Sequence, residues 1–213
     1  MIINYSDFKT KQDYEQFKTY NHNIPLKTQY VPLKPTFSGV SLPVAIVWDR
    51  LFSRETPQLL QRVLQVDKNL FRGPNPGIEG LEKLKNEKNI NVIINLRLDS
   101  ESKIRKLKEK AQNLGLEYHN ISFNSFTVPK KEKVDEVFRI IENAKKRGLN
   151  VYVHCLHGFD RTGTIIALYR IKKQGKNFAE AFQEMLDLGH KKHRRLFPKL
   201  GQFIEQEAKA VYA

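Results

Sequence analysis

The stretch that most constrains this chain is His154-Cys155-Leu156-His157-Gly158-Phe159-Asp160-Arg161-Thr162-Gly163. It holds the only cysteine of the 213 residues. Five residues separate that cysteine from Arg161, and a hydroxyl follows at once. Before it, Leu149-Asn150-Val151-Tyr152-Val153 is apolar and β-branched and reads as a buried strand. After it, Thr164 to Arg170 reads as a helix. A strand therefore feeds a short glycine-containing loop, and the loop opens a helix.

That arrangement suits an anion. The first turn of a helix carries unpaired N–H groups and the positive end of the macrodipole. A loop that curls its amides inward adds donors. Gly158 permits a close backbone approach or a positive φ. Arg161 offers a planar fork for two phosphate oxygens. A thiol in such a field is of the kind that reacts as a thiolate. The predicted product is a nucleophile at the floor of an oxyanion cradle, aimed at phosphorus. Thr162 is placed to hydrogen-bond the sulfur and make it a better leaving group in a second step.

From Val63 onward strands alternate with helices, which predicts an α/β fold with a central, mostly parallel sheet of about 4–5 strands flanked by helices. Strands are expected at 66–73 (one strand or a hairpin), 90–96, 116–123 and 149–153. Helices are expected at 78–88, from Asp99-Ser100-Glu101 to Gly115, from Pro129 to near Gly148, and at 178–188 and 196–212. In such sheets ligands sit outside the carboxyl ends of the strands. Cys155, Arg97, Asp99 and the 122–128 segment all fall at such ends. Residues 1–62 read as an extension that packs on the core, and 63–213 as the catalytic domain. Tyr5, Phe8, Tyr14, Phe17 and Tyr20 have nearly helical spacing, and Leu42 to Trp48 is apolar enough to anchor the extension.

The run His-Cys, five residues, Arg-Thr-Gly resembles the signature loop of the cysteine-based phosphatases, in particular the dual-specificity class. Leu70-Phe71-Arg72-Gly73-Pro74-Asn75-Pro76, Gly80-Leu81 and Asn91 to Arg97 look like the front half of the bacterial atypical members. Ala167-Leu168-Tyr169-Arg170 is similar to the same group. The likeness runs over about residues 63–207. It implies the dual-specificity phosphatase fold and a two-step reaction. Cys155 attacks phosphorus and forms a phosphocysteine, Arg161 stabilises the transition state, and water hydrolyses the intermediate. Leu156, His157, Gly158 and Phe159 would line the substrate, with His154 orienting the loop.

The resemblance also exposes a gap. Most relatives carry an aspartate some thirty residues before the cysteine as the acid that protonates the leaving oxygen. Here the segment is Ser122-Phe123-Asn124-Ser125-Phe126-Thr127-Val128-Pro129, with no carboxylate. Asp160 and Asp99 are the two candidates to replace it. Asp160 also reads as a loop brace, and Asp99 as a helix N-cap. A leaving group that needs little protonation is the third solution.

The net charge is +14, from 37 basic and 23 acidic residues. Such a field attracts polyanions. Within Gly189 to Arg195, Lys191, Lys192 and Arg194 are candidates to read extra phosphates on one substrate, such as an inositol polyphosphate or a phosphoinositide headgroup; a solvated basic turn is the plainer reading. One cysteine excludes an internal disulfide framework. Six scattered histidines give no zinc pattern, and neither metal nor cofactor is expected. No apolar run approaches a membrane span. No leader is visible at the N-terminus, so a cytoplasmic location is expected, or a periplasmic or secreted one where a leader has been removed.

The leading function is therefore a cysteine-dependent phosphatase acting on phosphotyrosine-type substrates or polyphosphorylated inositols. An RNA 5′-triphosphatase is the alternative, because the triphosphatase domains of animal capping enzymes resemble this loop and a basic surface fits RNA. A phosphate-binding module without turnover is the third.

Overall fold

The computed structural model describes residues 59–192 and 194–212, and the expectations for residues 1–58, for His193 and for the Lys192 side chain lie outside it. A 3-10 turn at Leu59–Arg62 leads into a hairpin of β1 (Leu64–Asp67) and β2 (Leu70–Gly73). Then follow α1 (Gly77–Lys88), β3 (Ile90–Asn95), α2 (Glu101–Asn113), β4 (Glu117–Asn120), α3 (Lys131–Lys146) and β5 (Asn150–His154). The last third is helical: α4 (Asp160–Gln174), α5 (Phe178–Asp187), a 3-10 turn at His190–Lys192, and α6 (Pro198–Tyr212).

The sheet has five strands in the order β1-β2-β5-β3-β4. Only β1 runs antiparallel. Strand alternation divides the core into two faces. Val92, Ile94, Val151 and Val153 face a cluster with Val134, Ile141, Ile165 and Ile204, from α3, α4 and α6. Ile93 and Tyr152 face the opposite cluster, with Leu81, Leu84, Leu107 and Ala111 from α1 and α2. Leu59 belongs to this second cluster.

Helix α4 lies at the centre of the helical layer. Asp160 to Tyr169 and Ile171 are all buried, because α4 packs on both α5 and α6 as well as on the sheet. Parallel register brings the strand ends together. Gly73 and Asn95 both pair with His154, and Asn95 pairs with Asn120. The chain therefore leaves β2, β3, β4 and β5 along one edge.

Several expected elements are a residue or a few shorter in the structure, two of them beside the site. The strand expected over 116–123 ends at Asn120. Beyond it, Ile121 N and Phe123 N still donate to Asn95 and Leu96 oxygens, at 2.9 and 3.4 Å, but the ladder has no more of β3 to follow. The helix expected from Pro129 starts at Lys131. Among the described residues no helix is long and apolar enough to cross a membrane.

Candidate active site

Cys155 emerges from β5 with 2% exposure, on the floor of the loop. What shapes the loop is the fate of its carbonyls. His154 O accepts from Leu96 N at 2.9 Å, and Leu156 O from Asn75 N at 2.9 Å. His157 O accepts from Arg62 Nη2 at 3.0 Å, and Gly158 O from Arg72 Nη2 at 2.6 Å. Phe159 O takes Gly163 N at 3.0 Å, and Asp160 O takes Thr164 Oγ1 at 2.9 Å. In a planar trans peptide the N–H points opposite its C=O. Carbonyls tied to neighbouring elements at 156–158, and to the first turns of α4 itself at 159 and 160, turn the amides of residues 157–161 the other way, towards the cradle.

Arg72 is the least expected part of that cradle. It is buried to 2% exposure, and Gly158 O is its hydrogen-bond partner. Burial pulls its guanidinium down to about 10, and the negative charge of an ionised Cys155 acts in the opposite direction. Arg72 thus anchors the loop from behind and attracts the sulfur when it is ionised. Arg62 does the first of these jobs beside it, with its guanidinium 5.2 Å over the Phe159 ring.

Arg161 is 5% exposed, and its Nη1 donates to Leu96 O at 3.4 Å. Thr162 is fully buried, and its Oγ1 has no hydrogen-bond partner among the described residues. A buried hydroxyl without a partner is costly unless something visits it.

His154 does not reach the mouth. It is buried, stacks on Tyr152 with ring centroids 5.7 Å apart, and its Nδ1 lies 3.2 Å from Cys155 O. A carbonyl only accepts, so Nδ1 carries the proton. Burial holds its pKa down to about 3, and the hydrogen bond to Cys155 O opposes this only in part. The consequence for stability has a definite sign. Below its ordinary value of 6.5 the unfolded chain binds a proton at His154 that the folded chain refuses, down to about 3. Stability should therefore fall as pH drops from 6.5 towards 4. Asp67 and Asp99, both held below the usual 3.8, add to the loss only at lower pH. Urea titrations of wild type and His154→Asn across that window test this: the variant should show the flatter dependence, and an equal slope would remove His154 as the cause.

Asp99 has a partner set of its own. Its carboxylate takes Arg97 Nη2 at 3.2 Å, Lys103 Nζ at 3.1 Å and Asn95 Nδ2 at 3.0 Å. Burial works against the charge, but the neighbouring Arg97, Asn95 and Lys103 prevail and lower its pKa. Such a carboxylate has no proton to give near neutrality. Nor is Asp99 the N-cap of α2: Ser100 holds that position, and its side chain makes no cap bond. A fully buried Arg97 needs an anion nearby, and Asp99 supplies it.

Asp160 meets a residue that its local sequence does not mark. His190 is fully buried, and its Nδ1 lies 2.6 Å from Asp160 Oδ1. Its Nε2 has no hydrogen-bond partner among the described residues. An N–H at Nε2 would be orphaned, so the proton belongs on Nδ1 and is donated to Asp160. Lys191 and Arg194 extend from the same turn and are exposed. Leu156 and Gly158 are buried, whereas His157 and Phe159 are half-buried and stack with centroids 6.0 Å apart. The structure thus brings Cys155, Arg161, Thr162 and Asp160 together with Arg72 and His190, and gives Asp99 to Arg97. Arg72 was visible in the sequence only within the 70–76 run.

The chain is similar to several known proteins. A DUF442 protein from Shewanella putrefaciens CN-32 has a structure with TM-score 0.56 and 25% identity, over 72% of this chain and 94% of that one. The core catalytic domain of the PP-IP phosphatase SIW14 from S. cerevisiae shares the fold, with TM-score 0.55 and 20% identity over 68% and 83%. Dual specificity protein phosphatase 1B of Arabidopsis thaliana is 35% identical over 72 residues, 34% of this chain and 40% of the relative. The chain thus spans less than half the length of that relative. Residues 52–197 match the family described as DSP-PTPase phosphatase fused to NAD+ kinase. That stretch runs from ahead of β1 through the signature loop to the turn before α6, and by it this protein belongs to that DSP-PTPase phosphatase family.

Proposed function

We propose that this chain is a cysteine-dependent phosphatase that hydrolyses phosphate monoesters through a phosphocysteine. The observation that carries the reading is the loop at 154–160, whose carbonyls are tied outward around Cys155. Such a wall of amides, with Arg161 at its edge, stabilises the extra negative charge that phosphoryl oxygens gain in the transition state. The S–P bond forms as the bond from phosphorus to the leaving oxygen breaks. Water then attacks phosphorus and the S–P bond breaks, which restores the thiolate and releases inorganic phosphate carrying the protons of the water. Thr162 Oγ1 serves the second step by donating to the departing sulfur.

The leaving oxygen takes a proton from Asp160 or departs as the anion. The bond from His190 favours Asp160 as a brace. Lys191 and Arg194 support substrates with several phosphates, and the likeness to a phosphatase named for PP-IP is in keeping with that. Phosphotyrosine-type substrates remain within the same chemistry.

The test combines acid-quench mass spectrometry with a substrate panel: p-nitrophenyl phosphate, phenyl phosphate, a phosphotyrosine peptide, inositol hexakisphosphate and triphosphorylated RNA. A phosphoryl adduct on Cys155 is expected during turnover. Turnover that survives alkylation of Cys155, with no adduct, would overturn the mechanism. In the Asp160→Asn variant a brace predicts equal losses on p-nitrophenyl and phenyl phosphate. A proton donor predicts a further loss of about 10²-fold on the poorer leaving group.

A further inference from the structure

Two loops rise beside the mouth, and their composition is lopsided. Residues 122–131 and 188–200 together contain seven lysines and arginines and no carboxylate. Both loops are tied to the signature loop. Leu96 O receives both Phe123 N and Arg161 Nη1, and His190 holds Asp160. The loops also touch each other, through the edge of Phe126 on Phe197 with ring centroids 5.0 Å apart. At that junction three large apolar side chains stand in water: Phe126 at 43% exposure, Val128 at 44% and Leu196 at 56%. Lys130, Lys131, Arg194 and Arg195 flank them in sequence, and all four are exposed.

The core does not require these exposed groups. Phe197 already seals the junction from inside, at 8% exposure. Exposed apolar side chains flanked by cations match one kind of surface well, the boundary between headgroups and acyl chains of an anionic bilayer. There the apolar groups leave water, and the cations meet lipid phosphates instead of one another.

We propose that the mouth of the site docks on an anionic lipid bilayer, with Phe126, Val128 and Leu196 as the wedge and Lys131, Arg194 and Arg195 on the headgroups. The electrostatic part recruits the protein from solution, and it weakens with salt because the screening length is about 8 Å at physiological ionic strength. The apolar part sets how long the protein stays. Docked in this way, the cradle would face phosphates presented at the membrane surface. The proposal does not depend on the catalytic reading, because binding requires no turnover.

The experiment is co-sedimentation of the full chain with vesicles of phosphatidylcholine alone or of phosphatidylcholine mixed with phosphatidylserine. Binding is expected only to the mixed vesicles, and raising the salt should weaken it by about tenfold or more. Phe126→Ser combined with Leu196→Ser should lower partitioning by about tenfold and leave hydrolysis of soluble p-nitrophenyl phosphate unchanged. Lys131→Glu with Arg195→Glu should do the same to binding. Failure of the full chain to bind anionic vesicles would overturn the proposal. So would equal binding by the apolar variant, or retention by an immobilised acidic peptide but not by vesicles, which would make the surface a protein site.

Discussion

Cys155→Ser is expected to lower kcat by about 10⁴-fold or more while the affinity for inorganic phosphate stays within a few-fold of wild type. A serine hydroxyl is nearly isosteric, so the amide wall, Arg161 and Arg72 keep their places. What disappears is the thiolate, since a serine hydroxyl does not ionise near neutrality as a thiol can. Steady-state assays with p-nitrophenyl phosphate, alongside calorimetric titration with phosphate, separate the two effects. Near-wild-type turnover would show that Cys155 is not the attacking group. Loss of phosphate binding together with activity would show that the loop had collapsed.

Gly158→Ala is expected to damage both activity and stability. Gly158 has φ of +78°, and an added Cβ would lie 2.5 Å from the carbonyl carbon and oxygen of Gly73 and 2.9 Å from Pro74 N. These are backbone atoms and cannot swing aside. Either the loop or the end of β2 must move, and Gly158 O is also the anchor of Arg72 at 2.6 Å. A displacement near 1 Å at a reacting centre costs on the order of 10²-fold in rate. The strained backbone and the clash together cost roughly 2–4 kcal/mol of stability. Gly175→Ala is the control. Gly175 has φ of +68°, but nothing lies within 4 Å of its added Cβ. It should lose about 1 kcal/mol through the backbone alone and keep full kcat/KM. Thermal melts and kinetics of the two variants decide the matter: equal behaviour would mean that the clash with Gly73 has no consequence for the site.

The wall around Cys155 also shows how much could be read without coordinates. Cys155, Gly158, Arg161 and Thr162 are neighbours in sequence, and a strand on one side and a helix on the other already fix their relation. The β3 strand was equally legible, because a central strand covered on both faces is a near-continuous apolar run. The 122–129 segment could be read only by what it lacks. That Phe126 and Val128 stand exposed against the basic turn follows from a contact between loops some seventy residues apart in sequence.

Arg72 and His190 carry the same lesson. One is 86 residues from Gly158 and the other 30 residues from Asp160. Nothing in their local spacing marks them. Asp99 went the other way: its place at a strand end suggested chemistry, yet it serves the buried Arg97. By itself the sequence determined the alternation of strands and helices and the cysteine-bearing loop between β5 and α4, because periodicity and a ten-residue motif are local properties of a chain. Only the tertiary structure decided which carboxylates have partners, which arginines hold the loop from behind and which apolar side chains remain exposed. Those depend on hydrogen bonds, desolvation and packing between elements far apart in sequence, and such partners are set only when parallel register brings the strand ends to one edge.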